Sequence, residues 1–353
     1  MTTSETTYRS RRAVRIEDDQ LRVTVLVEGG HIAEILHKAT GENPLWSPPW
    51  PSIEPSAYNR DRNPEYGGDS ESKLLAGIMG HNLALDIFGP PSPEEHAAGL
   101  TVHGEASTVP WVIEAPGVGL RARARLPLSM LEVEREIRLA GGGVVRIVET
   151  VTNLTAMDRP IAWTQHVTLG PPFIEHGQTR LLLPCRRAAV YPHDLGPAQA
   201  LEPKAEFSWP HAPTRAGGTV DLSVYPATSP TAALTGQLVN EGQATAFFLA
   251  WHPRTRLLFG CAWHRADFPW ISLWQENKSR SMPPWNGETV TWGLEFGASP
   301  WAETRRAQVD RGSLFGTPVF RWLPAAGRVS VTYTAFAREA PAMPSGFEPE
   351  PFG

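Results

Sequence analysis

Residues 131–139, LEVEREIRL, put Leu131, Val133, Ile137 and Leu139 in a period-two pattern with mostly charged residues between them. Side chains of an extended chain point alternately to two faces, so this pattern marks a half-buried strand. Three glycines, 141–143, follow, and then VVRIVETVTN runs to Asn153. The two runs read as an antiparallel hairpin closed by a glycine loop. Outward from it, similar short runs recur: LRVTVLV from Leu21, HIAEIL from His31, RARARL from Arg121, IAWTQHVTL from Ile161, TAFFLAW from Thr245, RLLFGCAW from Arg256, TVTWGLEF from Thr289 and VSVTYTAF from Val329. They come at spacings of roughly ten residues without long amphipathic helices between them, which predicts antiparallel sheets packed face to face and argues against a parallel α/β sheet. The fold class expected is all-β, a large antiparallel β-sandwich with a few short helices.

The helix that the pattern supports covers residues 301–311, WAETRRAQVDR, with Ser299 and Pro300 as its start signal and Gly312 as its stop. No repeat or low-complexity linker divides the chain, so residues 8–340 are expected to form a single domain, with 1–7 and 341–353 as loose termini. The proline-rich stretch 44–64 reads as a long surface loop.

Composition narrows the function. With 34 prolines and 31 glycines in 353 residues, a helix bundle is excluded, while 41% hydrophobic residues suffice for a large core. Lys and Arg total 32 against 37 Asp and Glu, interspersed along the chain, so there is no basic footprint for nucleic acid. The two cysteines, Cys185 and Cys261, match neither CxxC nor zinc spacing and read as reduced, buried thiols. The opening residues are polar and no apolar run approaches the ~18 residues of a membrane span, so the expectation is a cytoplasmic protein with no membrane partner. Eleven histidines form no HxH or HExxH, and GxSxG, GxxxxGK[ST] and GxGxxG do not occur, so neither a metal nor a cofactor is expected. Thirteen tryptophans are the compositional oddity. A flat apolar face with one N–H donor suits a ligand that is partly apolar and partly polar, such as a small-molecule sugar.

Four segments combine polar chemistry with aromatic or Gly/Pro neighbours: GHNLALDIFGPPS from Gly80, TVHGEAS from Thr101, WTQHVTLGPPF from Trp163, and the stretch from Trp270 to Trp301 that contains LWQENKS, MPPWNG and WGLEFGASP. HGEAS followed by Trp111, a Trp-x-x-His strand ending in GPPF and a late WGLEFGASP, in this order, resemble the galactose mutarotase-like superfamily, which includes aldose 1-epimerases and related sugar-binding proteins. The resemblance runs from about Leu21 to Phe336. It implies a large antiparallel β-sandwich and, for the enzymes, interconversion of the α and β anomers of free sugars.

That reaction needs a base for the anomeric hydroxyl proton and an acid for the ring oxygen. By motif match the resemblance implies Glu295 as the base, His166 as the acid and His103 as a hydrogen-bonding partner of the sugar. The residues themselves agree in part. An imidazole titrates near neutrality. Alternation in TVTWGLEFG puts Val290, Trp292, Leu294 and Phe296 on one face and Thr291, Gly293 and Glu295 on the other, where a cleft would desolvate the carboxyl. Gln165 beside His166, His81 as a loop donor, Trp274 as a stacking platform and Glu276 as a hydroxyl acceptor complete the expected binding set, and Trp285 is a candidate lid. At one place the chain departs from the epimerases: the stretch where they carry an Asn-Arg pair reads GHNLALDIFG, without arginine. Two alternatives to an epimerase therefore stand beside it: a non-catalytic carbohydrate-binding protein of the same fold, and a sandwich-fold glycoside hydrolase or lyase in which Glu276 or Glu105 would pair with Glu295.

Overall fold

In the computed structural model, which describes residues 2–117 and 119–347, the hairpin forms as strands Leu131–Gly141 and Val144–Asn153, with Leu131 opposite Asn153 and Gly141 opposite Val144. Leu131, Val133 and Ile137 are buried, and so is Arg135, which shares their face. Its charge is paired across the hairpin, where Arg135 Nε donates to Glu149 Oε2 at 2.8 Å from the directly opposed position.

This hairpin belongs to an eight-stranded antiparallel sheet, ordered Arg180–Leu182, Thr245–Trp251, Leu257–His264, Arg328–Glu339, Val144–Asn153, Leu131–Gly141, Gly119–Leu126 and Val112–Glu114. A twelve-stranded sheet packs against it. Its order is Thr2–Tyr8, Arg11–Glu17, Leu21–Leu26, Ile32–His37, His81–Asp86, Arg159–Leu169, Val290–Gly297, Trp270–Asn277, Thr231–Val239, Cys185–Val190 and Glu206–Ser208, with Arg321–Leu323 added beside Arg159–Ile161. The main core lies between them. Leu83, Leu85, Trp163, Val167, Leu294 and Phe296 from the large sheet meet Val133, Ile147, Phe248, Trp263 and Tyr333 from the small one. Trp263 and Phe296 stack with ring centres 4.0 Å apart. The protein is thus an all-β sandwich with short helices at Ser72–Gly77, Pro93–Ala97 and Arg305–Arg311.

Several sequence expectations need correction. Residues 2–7, expected to be loose, belong to an edge strand, Thr2–Tyr8, whose backbone pairs with Arg11–Glu17 from Thr2 opposite Glu17 to Tyr8 opposite Arg11. The C-terminal stretch to residue 347 is anchored by Phe347, which stacks on Phe336 at 5.0 Å; residues 348–353 lie outside the described residues. The last helix begins at Arg305 and not at Trp301, because the Thr304 side chain accepts from Ala307 N as the cap while Pro300 O is held by Ser272 Oγ and Trp301 packs on Ala189 and Leu234. The stop at Gly312 is where the sequence puts it.

Only the second part of the stretch 44–64 is a surface loop: residues 56–64 are mostly exposed, whereas Trp46 and Trp50 join Tyr66, Leu74, Leu75 and Ile78 in a second apolar cluster with Trp285 and Val102. Two indole rings and a helix face expose too much apolar area to remain in water, so residues 44–55 fold back as a separate apolar layer.

Candidate functional site

The site lies at the centre of the large sheet, on the face turned away from the main core. Along Arg159–Leu169, Trp163 and Val167 enter the core, and the intervening His166 lines a cavity of roughly 320 Å³. That is at the lower end of the volumes that enclose small ligands. Glu295 reaches the same cavity from the neighbouring strand, where it stands directly opposite His166. As alternation requires, Trp292, Leu294 and Phe296 are in the core while Glu295 faces away. Gly293, two residues earlier on that face, makes room for the carboxyl: a Cβ there would lie 2.5 Å from Glu295 Oε1 and 3.1 Å from the Trp274 ring.

His166 Nε2 and Glu295 Oε1 are 3.0 Å apart, so the ring nitrogen donates to the carboxylate. The other ring nitrogen, Nδ1, is 3.0 Å from Thr168 Oγ1. A hydroxyl can donate to a neutral imidazole or accept from a charged one, so Thr168 holds the ring in either protonation state. Both members of the pair are at least nine-tenths buried.

His103 completes this polar wall, its ring centre 4.7 Å from that of His166. Its Nδ1–H donates to Phe88 O at 2.6 Å, which leaves Nε2 as an acceptor. Burial holds its imidazole well below the usual histidine value, and the neighbouring His166 and Arg280 add to the effect, so His103 is a neutral acceptor and not an acid. The His-Gly pair has a backbone cause. His103 has φ +66° and Gly104 +77°, and a Cβ on Gly104 would lie 2.1 Å from Leu85 O, so only glycine lets the turn press this close to the strand His81–Asp86.

Aromatic rings form the other walls. Trp274 and Trp285 line the cavity with ring centres 6.0 Å apart in an edge arrangement. Trp285 stacks parallel on Trp46 at 6.3 Å and meets Trp50 edge-on at 5.0 Å, so it is a buried wall fixed by its neighbours and not a free lid.

Two residues expected to bind the ligand face the other way. His81 opens the strand His81–Asp86 and is not in a loop, and its Nε2–H donates to Gln165 Oε1 at 2.9 Å inside the sandwich. Gln165 also accepts from Tyr333 Oη at 3.0 Å and donates to Glu149 Oε1 at 2.7 Å. The reason is pleating: a residue next to His166 on a strand must point away from it. Burial lowers His81 to about 3, so it is neutral within this network. Glu276 does share the Trp274 face, but it accepts from Ser279 N at 2.6 Å and Arg280 N at 3.1 Å, and so shapes the following turn without lining the cavity. Glu105, which accepts from Ser129 N at 2.7 Å, does not line it either. The second carboxylate that a hydrolase would draw from these two residues is therefore not at Glu295.

Sequence reading did not single out Thr168, Glu71 or Asp69. Thr168 was recoverable, being two residues from His166 and on the same face. Asp69 and Glu71 lie in the turn GGDSES, which carries no chemical signature. Among the described residues no cluster of His, Cys, Asp and Glu is arranged to hold a metal ion, and no helix is long and apolar enough to cross a membrane.

No family model matches the chain, and neither does any curated protein. Solved structures do. A candidate aldose 1-epimerase from Klebsiella pneumoniae superposes with a TM-score of 0.65 at 14% identity, over 94% of this chain and 80% of that one. A galactose mutarotase-like protein from Clostridium acetobutylicum gives 0.62 at 12% identity over 96% and 99%, and a candidate mutarotase, YeaD, from Salmonella typhimurium gives 0.59 at 12% over 96% and 94%. The fold is that of the galactose mutarotase-like proteins.

Proposed function

We propose that the protein is a sugar mutarotase of the aldose 1-epimerase type, with Glu295 as base and His166 as acid. The observation that carries this reading is the carboxyl–imidazole pair, 3.0 Å apart, in the wall of an aromatic-walled cavity of sugar size.

The anomeric hydroxyl and the ring oxygen are both bonded to C1, so an acid and a base that act on them must be neighbours. In the proposed step Glu295 takes the proton from the anomeric hydroxyl while the protonated His166 gives one to the ring oxygen. The C1–O5 bond breaks and C1 becomes an aldehyde. Rotation about C1–C2 and the reverse transfers close the ring on the other face. Neutral His103 accepts a hydrogen bond from a sugar hydroxyl, and Trp274 packs on the C–H face of the ring. No cofactor enters this mechanism. Two unpaired, buried thiols suit a reducing compartment, and we assign the protein to the cytoplasm on that ground.

A carbohydrate-binding protein without turnover is the second reading, favoured by the absence of arginine from residues 80–89. Polarimetry or NMR exchange on freshly dissolved α-glucose and α-galactose separates the two. Acceleration that Glu295→Gln and His166→Ala each reduce by at least ~100-fold is the expected result. Binding by calorimetry with no acceleration in the wild type would overturn the enzyme reading in favour of the second.

A further inference from the structure

Besides the Glu295–His166 pair, the cavity wall carries one cation. Arg280 lies in the turn after the strand Trp270–Asn277, with its guanidinium 4.6 Å from the ring centre of Trp285 and 5.8 Å from that of Trp274. Its Nη1 is 3.2 Å from Glu71 Oε2, and its Nε is 3.6 Å from Glu276 Oε2. Three carboxylates line the same cavity: Asp69, Glu71 and Glu295.

We infer that Glu71 is a specificity-determining residue: by holding Arg280 it denies the guanidinium to anionic groups, so that the cavity takes an uncharged sugar in preference to one bearing a phosphate or carboxylate. This rests on the sugar reading above. An incoming anion would have to displace Glu71 from Arg280 and then lie among the remaining carboxylates, a like-charge arrangement that is strongly disfavoured. A sugar hydroxyl has no such requirement. It accepts from the guanidinium N–H groups that Glu71 leaves free, and the ion pair stays closed. Glu71 and Arg280 stand 209 positions apart in the chain, so only the fold brings the pair together.

Calorimetry with glucose, glucose 6-phosphate and inorganic phosphate, at low ionic strength and near-neutral pH, tests the assignment on wild type, Glu71→Gln, Glu71→Ala and the double variant Glu71→Gln/Arg280→Gln. The wild type is expected to bind glucose at least about tenfold more tightly than glucose 6-phosphate. Both Glu71 variants should bind glucose 6-phosphate and inorganic phosphate about tenfold more tightly than the wild type, and the double variant should lose that gain. Wild-type affinities for both anions in folded Glu71 variants would overturn the assignment, and so would a wild type that prefers glucose 6-phosphate. A gain in phosphate binding on loss of Glu71, with no glucose binding by any form, would uphold the role of Glu71 and remove the sugar reading.

Discussion

Glu295 and His166 occupy directly opposed positions on adjacent antiparallel strands, and their side chains meet at 3.0 Å on the face away from the main core. The sheet itself sets this relationship, since opposed residues share a face and stand within side-chain reach. Proton exchange between the two therefore needs no loop movement.

Thr168 holds the far side of the imidazole and should act as a positioning residue. Thr168→Val keeps the shape and removes the hydroxyl. The expected result is a fall of about tenfold in kcat with little change in KM, restored in Thr168→Ser, since the ring loses the hydroxyl that orients it. A loss of folded protein with kcat per folded molecule unchanged would instead mark Thr168 as merely structural.

The glycine at position 293 exists to leave space for the carboxyl of Glu295. In Gly293→Ala the new methyl would stand 2.5 Å from Oε1, so the carboxylate must swing off His166. Activity should drop by at least tenfold while thermal stability falls by no more than ~1–3 kcal/mol, the usual range for overpacking. Equal activity in the alanine variant would show that the carboxyl does not depend on this space.

Acid should destabilise the fold through its buried neutral histidines. His81 is lowered to about 3 by burial, against an ordinary value of 6.5, and His31 and His103 are lowered in the same direction. The unfolded chain takes up these protons first. The stability is intact above about pH 6.5 and is lost progressively as the pH falls toward 3, at up to ~1.4 kcal/mol per pH unit for each such group. Urea midpoints between pH 7.5 and about 4.5 measure this slope, and a His81→Gln variant should flatten it. A midpoint independent of pH over that range would contradict the neutral, buried state of these rings.

Beneath the site, Glu149 accepts from Arg135 at 2.8 Å, from Gln165 at 2.7 Å and from Trp163 Nε1 at 2.5 Å, all within the sandwich. Glu149→Ala leaves a fully buried guanidinium without its partner and should cost about 3–5 kcal/mol. A thermal melt reads the loss directly. A change below ~1 kcal/mol would mean that the interior compensates Arg135 in another way.

The fold was legible because period-two runs carry their own burial pattern: Trp292, Leu294 and Phe296 could have only one common face, and Glu295 only the other. The same rule, applied to Gln165 and His166, would have turned Gln165 inward. His81 shares the core face of Leu83 and Leu85, but this alternation is short and bounded by Gly80 and the Gly-Pro-Pro turn, so it does not stand out as a strand.

What the sequence determined by itself is the antiparallel all-β class and, where a run alternates, the side of the strand on which a polar residue stands, since these follow from backbone geometry over neighbouring residues. Only the tertiary structure decided that Glu295 and His166 touch, that Arg280 turns into the cavity to meet Glu71, and that Trp46 and Trp50 fix Trp285 from behind in one wall. Those contacts join residues far apart in the chain, and sheet order and packing alone bring them within bonding distance.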